Sequence, residues 1–298
     1  MAVDATGDRM RTTALLATCL FMTVTGVAAC GAADPSPAPA RPAVSPAPGD
    51  HTLHLDWQGV ERNYELHAPP GYRPGRAIPL VVALHGRPSS AAKLRAASGL
   101  DTVADREGFL TAYPNGIDGA WQATGRVGVV DDVGFLRAMV EHLVETWGVD
   151  PRRVYATGFS DGARMSYELA VNASDVFAAI APVSGPFEWG RARSDTGYKP
   201  AEPVSVVAFL GSRDRIADQI SYGLNRWHRH LGCTAEEPVW VDQGRTVNRT
   251  VAKCADGSEA VDYVVNGMGH AWPAPTDHAT AIDAGVVMWE FFAARQRG

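Results

Sequence analysis

The residue most clearly placed to take part in a reaction is a serine that stands between two glycines. Ser160 lies in the segment GFSDGARM, residues 158–165, which fits the pattern G-x-S-x-G. Where a strand turns tightly into a helix, the two glycines keep side chains out of the turn and let the serine Oγ project as a nucleophile. Because a hydroxyl group is a poor nucleophile without a base, a reactive serine here requires a histidine and a carboxylate elsewhere in the chain.

A histidine and an aspartate follow the serine, each just after an apolar run. His270 stands behind a predicted strand in VVNGMGHAWP, and the neighbouring glycines give its loop the freedom to reach Ser160. Asp214 ends the segment VSVVAFLGSRD, where its carboxylate can accept the Nδ1–H of the histidine; Asp218 is the alternative acid. We therefore predict a triad of Ser160, His270 and Asp214. The other downstream histidines fall on a predicted helix face or in a polar loop: His228, His230 and His278.

Ester cleavage by a serine also needs N–H donors for the charge that develops on the carbonyl oxygen. The backbone N–H of Asp161 opens the helix after the serine. The backbone N–H of Arg87 follows the strand PLVVALHG, in the loop where the second donor of this oxyanion hole belongs. Trp121 and Trp272 are candidates for an apolar rim around an acyl or aryl group, and core packing is the alternative for each.

These residues need a scaffold that gathers the ends of several strands. Residues 51–69, HTLHLDWQGVERNYELHAP, alternate apolar and polar side chains and predict an antiparallel hairpin. Helical spacing recurs after Asp131, after Ser160 and near the C-terminus. The sequence therefore predicts an α/β fold of the α/β-hydrolase type: a mostly parallel central sheet, helices on both faces and an N-terminal antiparallel hairpin. Six short, mostly apolar runs predict the buried strands of this sheet: PLVVALHG, FLTAYP, RRVYATGF, AAIAPVSG, VSVVAFLG and VDYVVNG.

The first 50 residues differ in composition from the rest of the chain. Residues 1–29 place arginines before an apolar run that ends in small residues and Cys30. This pattern predicts a signal peptide of the lipoprotein type, with cleavage before Cys30 and a lipid on its thiol. An uncleaved membrane anchor is the alternative, because the run approaches the length of a membrane span. Residues 30–50 are rich in proline and alanine, which predicts a semi-rigid linker between the membrane and a catalytic domain at residues 51–298.

The cysteines and the net charge bear on disulfide bonding, metal binding and nucleic-acid binding. Cys19 lies inside the apolar run, which leaves Cys233 and Cys254 as a pair in a chain that we expect to be exported. Such a pair predicts a disulfide, with two free buried thiols as the alternative. Neither cysteine belongs to a C-x-x-C pair, so no metal site is predicted. The net charge is −6 and the sequence has no basic stripe interleaved with aromatic residues, which argues against nucleic acid as a partner.

Several blocks of the sequence together resemble the polyhydroxybutyrate depolymerase-like esterases, a family with feruloyl esterase and acetylxylan esterase relatives and actinobacterial lipoproteins. The resemblance covers about residues 51–292 and implies an exported α/β-hydrolase that cleaves carboxylic esters through Ser160, Asp214 and His270. It also implies that Cys233 pairs with Cys254 and that Trp272 lines the substrate site. Since water completes the reaction, no cofactor is expected. The blocks are LHG, GLDTVADREGFLTAYPNG, VDDVGFLRAMVEHL, VDPRRVYATGFSDGARM, FAAIAPVSG, LGSRD and GMGHAWP.

The sequence departs from this family in two places. Asp161 and Ala163 stand where members usually have asparagine and glycine, and Arg87 opens a loop that is usually rich in glycine and cysteine. A carboxylate at residue 161 weakens the field of the oxyanion hole unless it points away. The cationic Arg87 would either narrow the acyl pocket or favour an anionic substrate. Two alternatives to an esterase remain from the sequence: acyl transfer or peptide hydrolysis on the same fold, and a non-catalytic envelope lipoprotein.

Overall fold

We analysed a computed structural model of the chain. It describes residues 44–122, 131–187, 197–274 and 282–298. The predicted signal peptide at 1–29, Cys30, most of the linker and His278 lie outside these ranges. Among the residues described, no helix combines the length and the apolar character needed to cross a bilayer.

The centre of the domain is one sheet, and its middle strands are buried on both faces. An antiparallel hairpin forms the first edge: β1 (Gly49–Trp57) and β2 (Val60–Ala68). The parallel strands are β3 (Ile78–Leu84), β4 (Leu110–Pro114), β5 (Val149–Phe159), β6 (Ala179–Val183), β7 (Ser205–Gly211) and β11 (Glu259–Val265). Three antiparallel strands close the other edge: β8 (Thr234–Ala235), β9 (Val239–Trp240) and β10 (Val247–Lys253).

The order of the strands is β1-β2-β4-β3-β5-β6-β7-β11-β10-β8, and β9 also pairs with β10. Strand β5 therefore lies near the middle of the sheet, with β3 on one side and β6 on the other. In a sheet of this kind the loops at the carboxyl ends of the parallel strands form the ligand site. The loops that carry Arg87, Ser160, Asp214 and His270 all lie at that end.

In the described ranges, six α-helices pack on the two faces of the sheet. Helices α3 (Asp132–Trp147), α4 (Asp161–Asn172) and α5 (Ala217–Leu231) share one apolar core with the sheet. Helices α1 (Ala91–Ser98), α2 (Leu100–Glu107) and α6 (Ala284–Ala293) share a second core on the opposite face. The predicted α/β-hydrolase architecture, with helices on both faces and an N-terminal hairpin, is confirmed.

Local sequence signals explain where helix α3 begins and ends. The Asp131 carboxylate accepts a hydrogen bond from the backbone N–H of Gly134 at 2.9 Å, which satisfies one of the free donors at the helix start. Gly148 ends the helix with a φ of 69°, a left-handed conformation that glycine adopts without strain. The helix that we predicted after Asp131 therefore forms with the expected ends.

Two details at the edges of the sheet complete the comparison with the sequence. The predicted disulfide between Cys233 and Cys254 is present, and it ties the end of α5 to the end of β10. Strand β1 begins at Gly49, so the ordered hairpin starts inside the segment 30–50 that the sequence assigns to the linker.

Candidate active site

Ser160 occupies a strained turn between the end of β5 and the start of α4. Its φ is 56° and its ψ is −106°, a combination that a residue with a side chain rarely adopts. The turn is held by hydrogen bonds from the Ser160 N–H to the Val183 carbonyl at 2.9 Å and from the Arg164 N–H to the Ser160 carbonyl at 3.2 Å. The strain therefore sits on the residue that the sequence singles out as a nucleophile.

The glycines beside the serine are required by close backbone contacts. A Cβ added at Gly158 would lie 2.3 Å from the backbone of Gly162, and one added at Gly162 would lie 2.0 Å from the carbonyl oxygen of Leu84. A Cβ at Gly185, after β6, would lie 2.3 Å from the Ser160 carbonyl. The turn is thus packed against β3 and β6 through glycines, which fixes the position of Ser160.

His270 and Asp214 meet at the same end of the sheet. The Nδ1 of His270 lies 2.8 Å from Oδ2 and 3.0 Å from Oδ1 of Asp214, whose carboxylate is fully buried. The backbone N–H of Ile216 also donates to this carboxylate, at 2.9 Å. Because the carboxylate accepts the proton on Nδ1, Nε2 remains available as a base. Asp218 is exposed in the first turn of α5, so the acid that meets His270 is Asp214.

The ring of His270 lies beside the turn that carries the serine. Its centroid is 4.8 Å from the centroid of Phe159, the residue directly before Ser160. The hydroxyl of Ser184 lies 3.4 Å from the carbonyl of Ala271, which links the histidine loop to the end of β6. The structure therefore places the imidazole beside Phe159, the residue that precedes the predicted nucleophile, from a separate loop.

The loop of Arg87 also passes close to the serine. A Cβ added at Gly86 would lie 3.5 Å from the Cβ of Ser160 and 3.2 Å from the ring of Phe159. The backbone at Gly86 therefore borders Ser160, and Arg87, the predicted oxyanion donor, is the next residue. The side chain of Arg87 is exposed.

The carboxylate of Asp161 is buried and turned towards the protein. It accepts a hydrogen bond from the backbone N–H of Trp121 at 3.2 Å, and it lies 3.8 Å from the guanidinium of Arg164. Both partners offset its negative charge. The departure from the family pattern at this position thus has a structural use: the side chain anchors the loop after β4, and its backbone N–H still opens α4.

His85 supports the loop of Arg87, because both of its ring nitrogens are engaged by backbone groups. Its Nδ1 lies 2.7 Å from the carbonyl of Gly86, and its Nε2 accepts the backbone N–H of Gly116 at 3.0 Å. Burial lowers the pKa of His85 below its ordinary value. A neutral imidazole with its proton on Nδ1 makes both hydrogen bonds, so His85 joins the loops after β3 and β4.

Trp121 packs against His85 beneath the loop of Arg87, and its side chain is not exposed. Its side chain is fully buried, its indole N–H donates to the carbonyl of His85 at 2.8 Å, and its ring lies 4.9 Å from the imidazole of His85. The sequence left a substrate rim and core packing as equal alternatives for Trp121, and its burial and hydrogen bonds favour core packing. Its role is to position the loop next to Ser160.

Trp272 is also buried, but its polar atom is unsatisfied. Its residue exposure is 7%, and its indole N–H has no hydrogen-bond partner among the residues that the structure describes. A buried N–H without a partner is costly, and this one stands two residues after His270. Of the two tryptophans, Trp272 alone has an indole N–H without a hydrogen-bond partner in the described part of the chain.

The sequence did not identify a buried ion pair that lies near Trp121. The guanidinium of Arg62, on β2, lies 2.7 Å from the carboxylate of Asp132, and both side chains are buried. The same carboxylate accepts the backbone N–H of Gln122 at 2.6 Å, next to Trp121. The available signal was the pair Asp131-Asp132 at a helix start, but its partner stands 70 residues earlier in the chain.

One cluster away from the serine has the composition of a metal site. Asp50, His67 and Asp101 bring possible ligand atoms within 4.8 Å of one another. However, Arg95 lies among them, with its Nε 2.5 Å from Asp101 and an ion pair to Asp50. A guanidinium therefore supplies the positive charge, and the cluster joins β1 and β2 to the helices α1 and α2.

Comparison with known proteins gives a consistent picture. Residues 62–199 match the family model described as esterase PHB depolymerase. The putative esterase NocK of Nocardia uniformis subsp. tsuyamanensis is 31% identical over 255 residues, which cover 73% of this chain and 72% of NocK. Feruloyl esterase B of Piromyces equi is 29% identical over 225 residues, 68% of this chain but only 41% of that enzyme.

The fold has close counterparts among solved structures. An acetyl xylan esterase from Aspergillus awamori superposes with a TM-score of 0.62, covering 82% of this chain and 99% of the other at 17% identity. At this level of identity the likeness concerns the fold. It agrees with the sheet order and the helical layers described above.

Proposed function

Because this chain belongs to the esterase PHB depolymerase family, whose members here are carboxylic ester hydrolases, we propose that it is an exported serine esterase that works through Ser160, His270 and Asp214. The observation that carries the proposal is the His270–Asp214 pair, at 2.8 Å, beside a strained serine turn. Three loops, after β5, β7 and β11, converge to make this arrangement. A fold without this chemistry has no need of strain at Ser160.

In the proposed reaction the Ser160 Oγ attacks the ester carbonyl while Nε2 of His270 takes its proton. The oxyanion of the tetrahedral intermediate accepts hydrogen bonds from the backbone N–H groups of Asp161 and Arg87. When the intermediate collapses, the C–O bond to the alcohol breaks and His270 returns the proton to the alcohol oxygen. Water, activated by the same histidine, then cleaves the acyl-enzyme and restores the serine. All groups belong to the chain, so the mechanism uses no cofactor.

The substrates that we propose are short acyl or hydroxycinnamoyl esters, including esters carried by polysaccharides. The buried indole of Trp272 would form one wall of the acyl site, with its free N–H directed to a polar group of the substrate. The name of feruloyl esterase B, a relative at 29% identity, supports an aromatic acyl group. The exposed Arg87 would sit at the entrance to this site.

We also propose that the enzyme works outside the plasma membrane. The signal at 1–29, the lipid on Cys30 and the linker at 30–50 would tether the catalytic domain, residues 51–298, to the outer face of the cell envelope. The disulfide between Cys233 and Cys254 supports export, because such bonds persist in oxidising compartments. Intact mass measurement of the membrane-bound protein tests the tether: a chain that still begins at Met1 contradicts it.

The activity is tested with soluble esters. Ser160→Ala should lower kcat for p-nitrophenyl acetate and methyl ferulate by about 10⁴-fold or more, since removal of the nucleophile removes the acyl-enzyme route. Circular dichroism and Tm establish that the variant is folded. A folded Ser160→Ala protein with the rate of the wild type would refute the assignment. Product analysis with added alcohols and amines distinguishes hydrolysis from acyl transfer and from peptide cleavage.

A further inference from the structure

An exposed apolar stretch lies at the far edge of the sheet. Val239, Trp240 and Val241 have residue exposures of 47%, 44% and 40%. They include β9, which pairs with β10 through Trp240 opposite Asn248 and Val239 opposite Arg249. Three consecutive large apolar residues are therefore exposed at this edge, two of them on β9 and the third directly after it. Exposed apolar surface of this kind commonly marks a binding site.

The strand register shows which side chains share a face with the indole. Residues directly opposite each other on antiparallel strands point to the same face, and alternate residues of one strand do so too. Trp240, Asn248 and Thr250 therefore lie on one face. Thr250 is opposite Asp262, whose carboxylate lies 3.3 Å from His228 of α5. The face is thus the α5 side of the sheet, where an aromatic ring, an amide and a hydroxyl stand together; we name these three residues the edge platform.

The edge platform lies at the catalytic end of the sheet. The Val241 N–H donates to the Val247 carbonyl at 3.0 Å, and Val247 is opposite Val265, the last residue of β11. The loop that leaves β11 is joined to the same region, because the Asn266 N–H donates to the Thr246 carbonyl at 2.7 Å. That loop leads to His270. Five strand spacings of ~4.8 Å separate β9 from β5, whose end carries Ser160, or about 24 Å across the sheet.

The strand that carries Trp240 is held rigidly at this end. The carboxylate of Asp242 accepts the backbone N–H groups of Thr246 and Val247, at 2.8 and 2.7 Å, and the hydroxyl of Thr246 at 2.9 Å. A fixed turn positions the exposed ring before any ligand arrives, which reduces the ordering cost of binding.

We propose that the edge platform binds the sugar chain of a polysaccharide that carries the ester. The flat indole of Trp240 would pack on the apolar C–H face of a sugar ring, while the amide of Asn248 and the hydroxyl of Thr250 hydrogen-bond its hydroxyl groups. A chain whose ester is at Ser160 reaches the platform with several sugar units, given a separation of about 24 Å. The inference rests on the proposed esterase function and gives it a polymeric substrate.

The hydrolysis test compares one variant on two substrates. Trp240→Ala should lower kcat/KM for ferulate release from feruloylated arabinoxylan by about tenfold and leave kcat/KM for methyl ferulate within about twofold. Trp240→Phe retains a flat ring and should recover most of the polymer rate. Val60→Ala, an apolar residue of 42% exposure at the opposite edge of the sheet, is the control and should match the wild type on both substrates.

A binding test separates this inference from the proposed activity. In native gels that contain arabinoxylan, the full-length Ser160→Ala protein should be retarded, and adding Trp240→Ala should remove the retardation, whether or not the wild type cleaves any ester. An equal polymer rate in the wild type and Trp240→Ala, or equal gel mobility, would overturn the inference. So would sedimentation data in which Trp240→Ala abolishes a dimer and leaves the polymer rate unchanged, because the edge would then pair with a second copy.

Discussion

Replacing Gly162 with alanine should disable the site while leaving the domain folded. The added Cβ would lie 2.0 Å from the carbonyl oxygen of Leu84, 2.5 Å from its carbonyl carbon and 2.8 Å from the carbonyl oxygen of His85. All three are backbone atoms at the end of β3, so no side chain can swing away. Restoring a separation of 3.0 Å requires a shift of about 1 Å between the serine turn and the oxyanion loop.

A shift of that size separates the groups that must act together. A misplacement of about 1 Å typically costs about 10²-fold in rate, so kcat/KM for p-nitrophenyl acetate should fall by about 10²-fold. The strain should also lower stability by about 1–3 kcal/mol, which thermal unfolding measures.

The chain offers a matched control for this change. Gly269 stands directly before His270, yet a Cβ there would meet no heavy atom within 4 Å. Gly269→Ala should therefore stay within about threefold of the wild-type kcat/KM, which corresponds to less than ~1 kcal/mol. The packing argument fails if Gly162→Ala and Gly269→Ala have the same kcat/KM.

Three further changes test other parts of the structure. Asp161→Asn keeps an acceptor for the Trp121 N–H and should leave kcat within about fivefold of the wild type. Asp161→Leu should lower the free energy of unfolding by about 1–3 kcal/mol, because that N–H loses its acceptor. Equal Tm values for Asp161→Leu and the wild type would contradict this. Burial raises the pKa of Asp262 to about 7, so stability should fall by up to about 4 kcal/mol as the pH rises from about 4 to 7, and urea unfolding of Asp262→Asn should lack that fall. Replacing Cys233 and Cys254 by serine should cost about 3 kcal/mol in the same assay, and an unchanged midpoint would contradict the loop-closure argument.

The sequence predicted the candidate site residues best where a reactive residue type directly follows a strand. Ser160, Asp214 and His270 each follow an apolar run, and a parallel sheet places the ends of such runs together. The motif also located the glycines that the turn needs. What the sequence could not supply was the partner of each side chain, because partners such as Trp121 and Asp161 lie 40 residues apart in the chain.

Two features that the sequence alone did not decide have the same physical origin. A tryptophan such as Trp121 is a residue type that often lines substrate sites. Here its hydrogen bonds to His85 and Asp161 hold it in a buried position beneath the loop of Arg87. The segment VNRTVAK of β10 mixes polar and apolar residues, so the apolar-run criterion did not identify it as a strand. The position of Trp121 and the strand structure of β10 both depend on neighbours that only folding brings close. Trp121 is placed by the loop after β4, and β10 by its pairing with β11.

The central claim is that Ser160 is a nucleophile activated by His270. A fluorophosphonate probe reacts covalently with such a serine, and peptide mass spectrometry identifies the residue that carries the label. The structure predicts a single label per chain, on the peptide that contains Ser160, and its loss in His270→Ala. A folded wild-type protein with no label on Ser160, or with equal labelling in His270→Ala, would contradict the account.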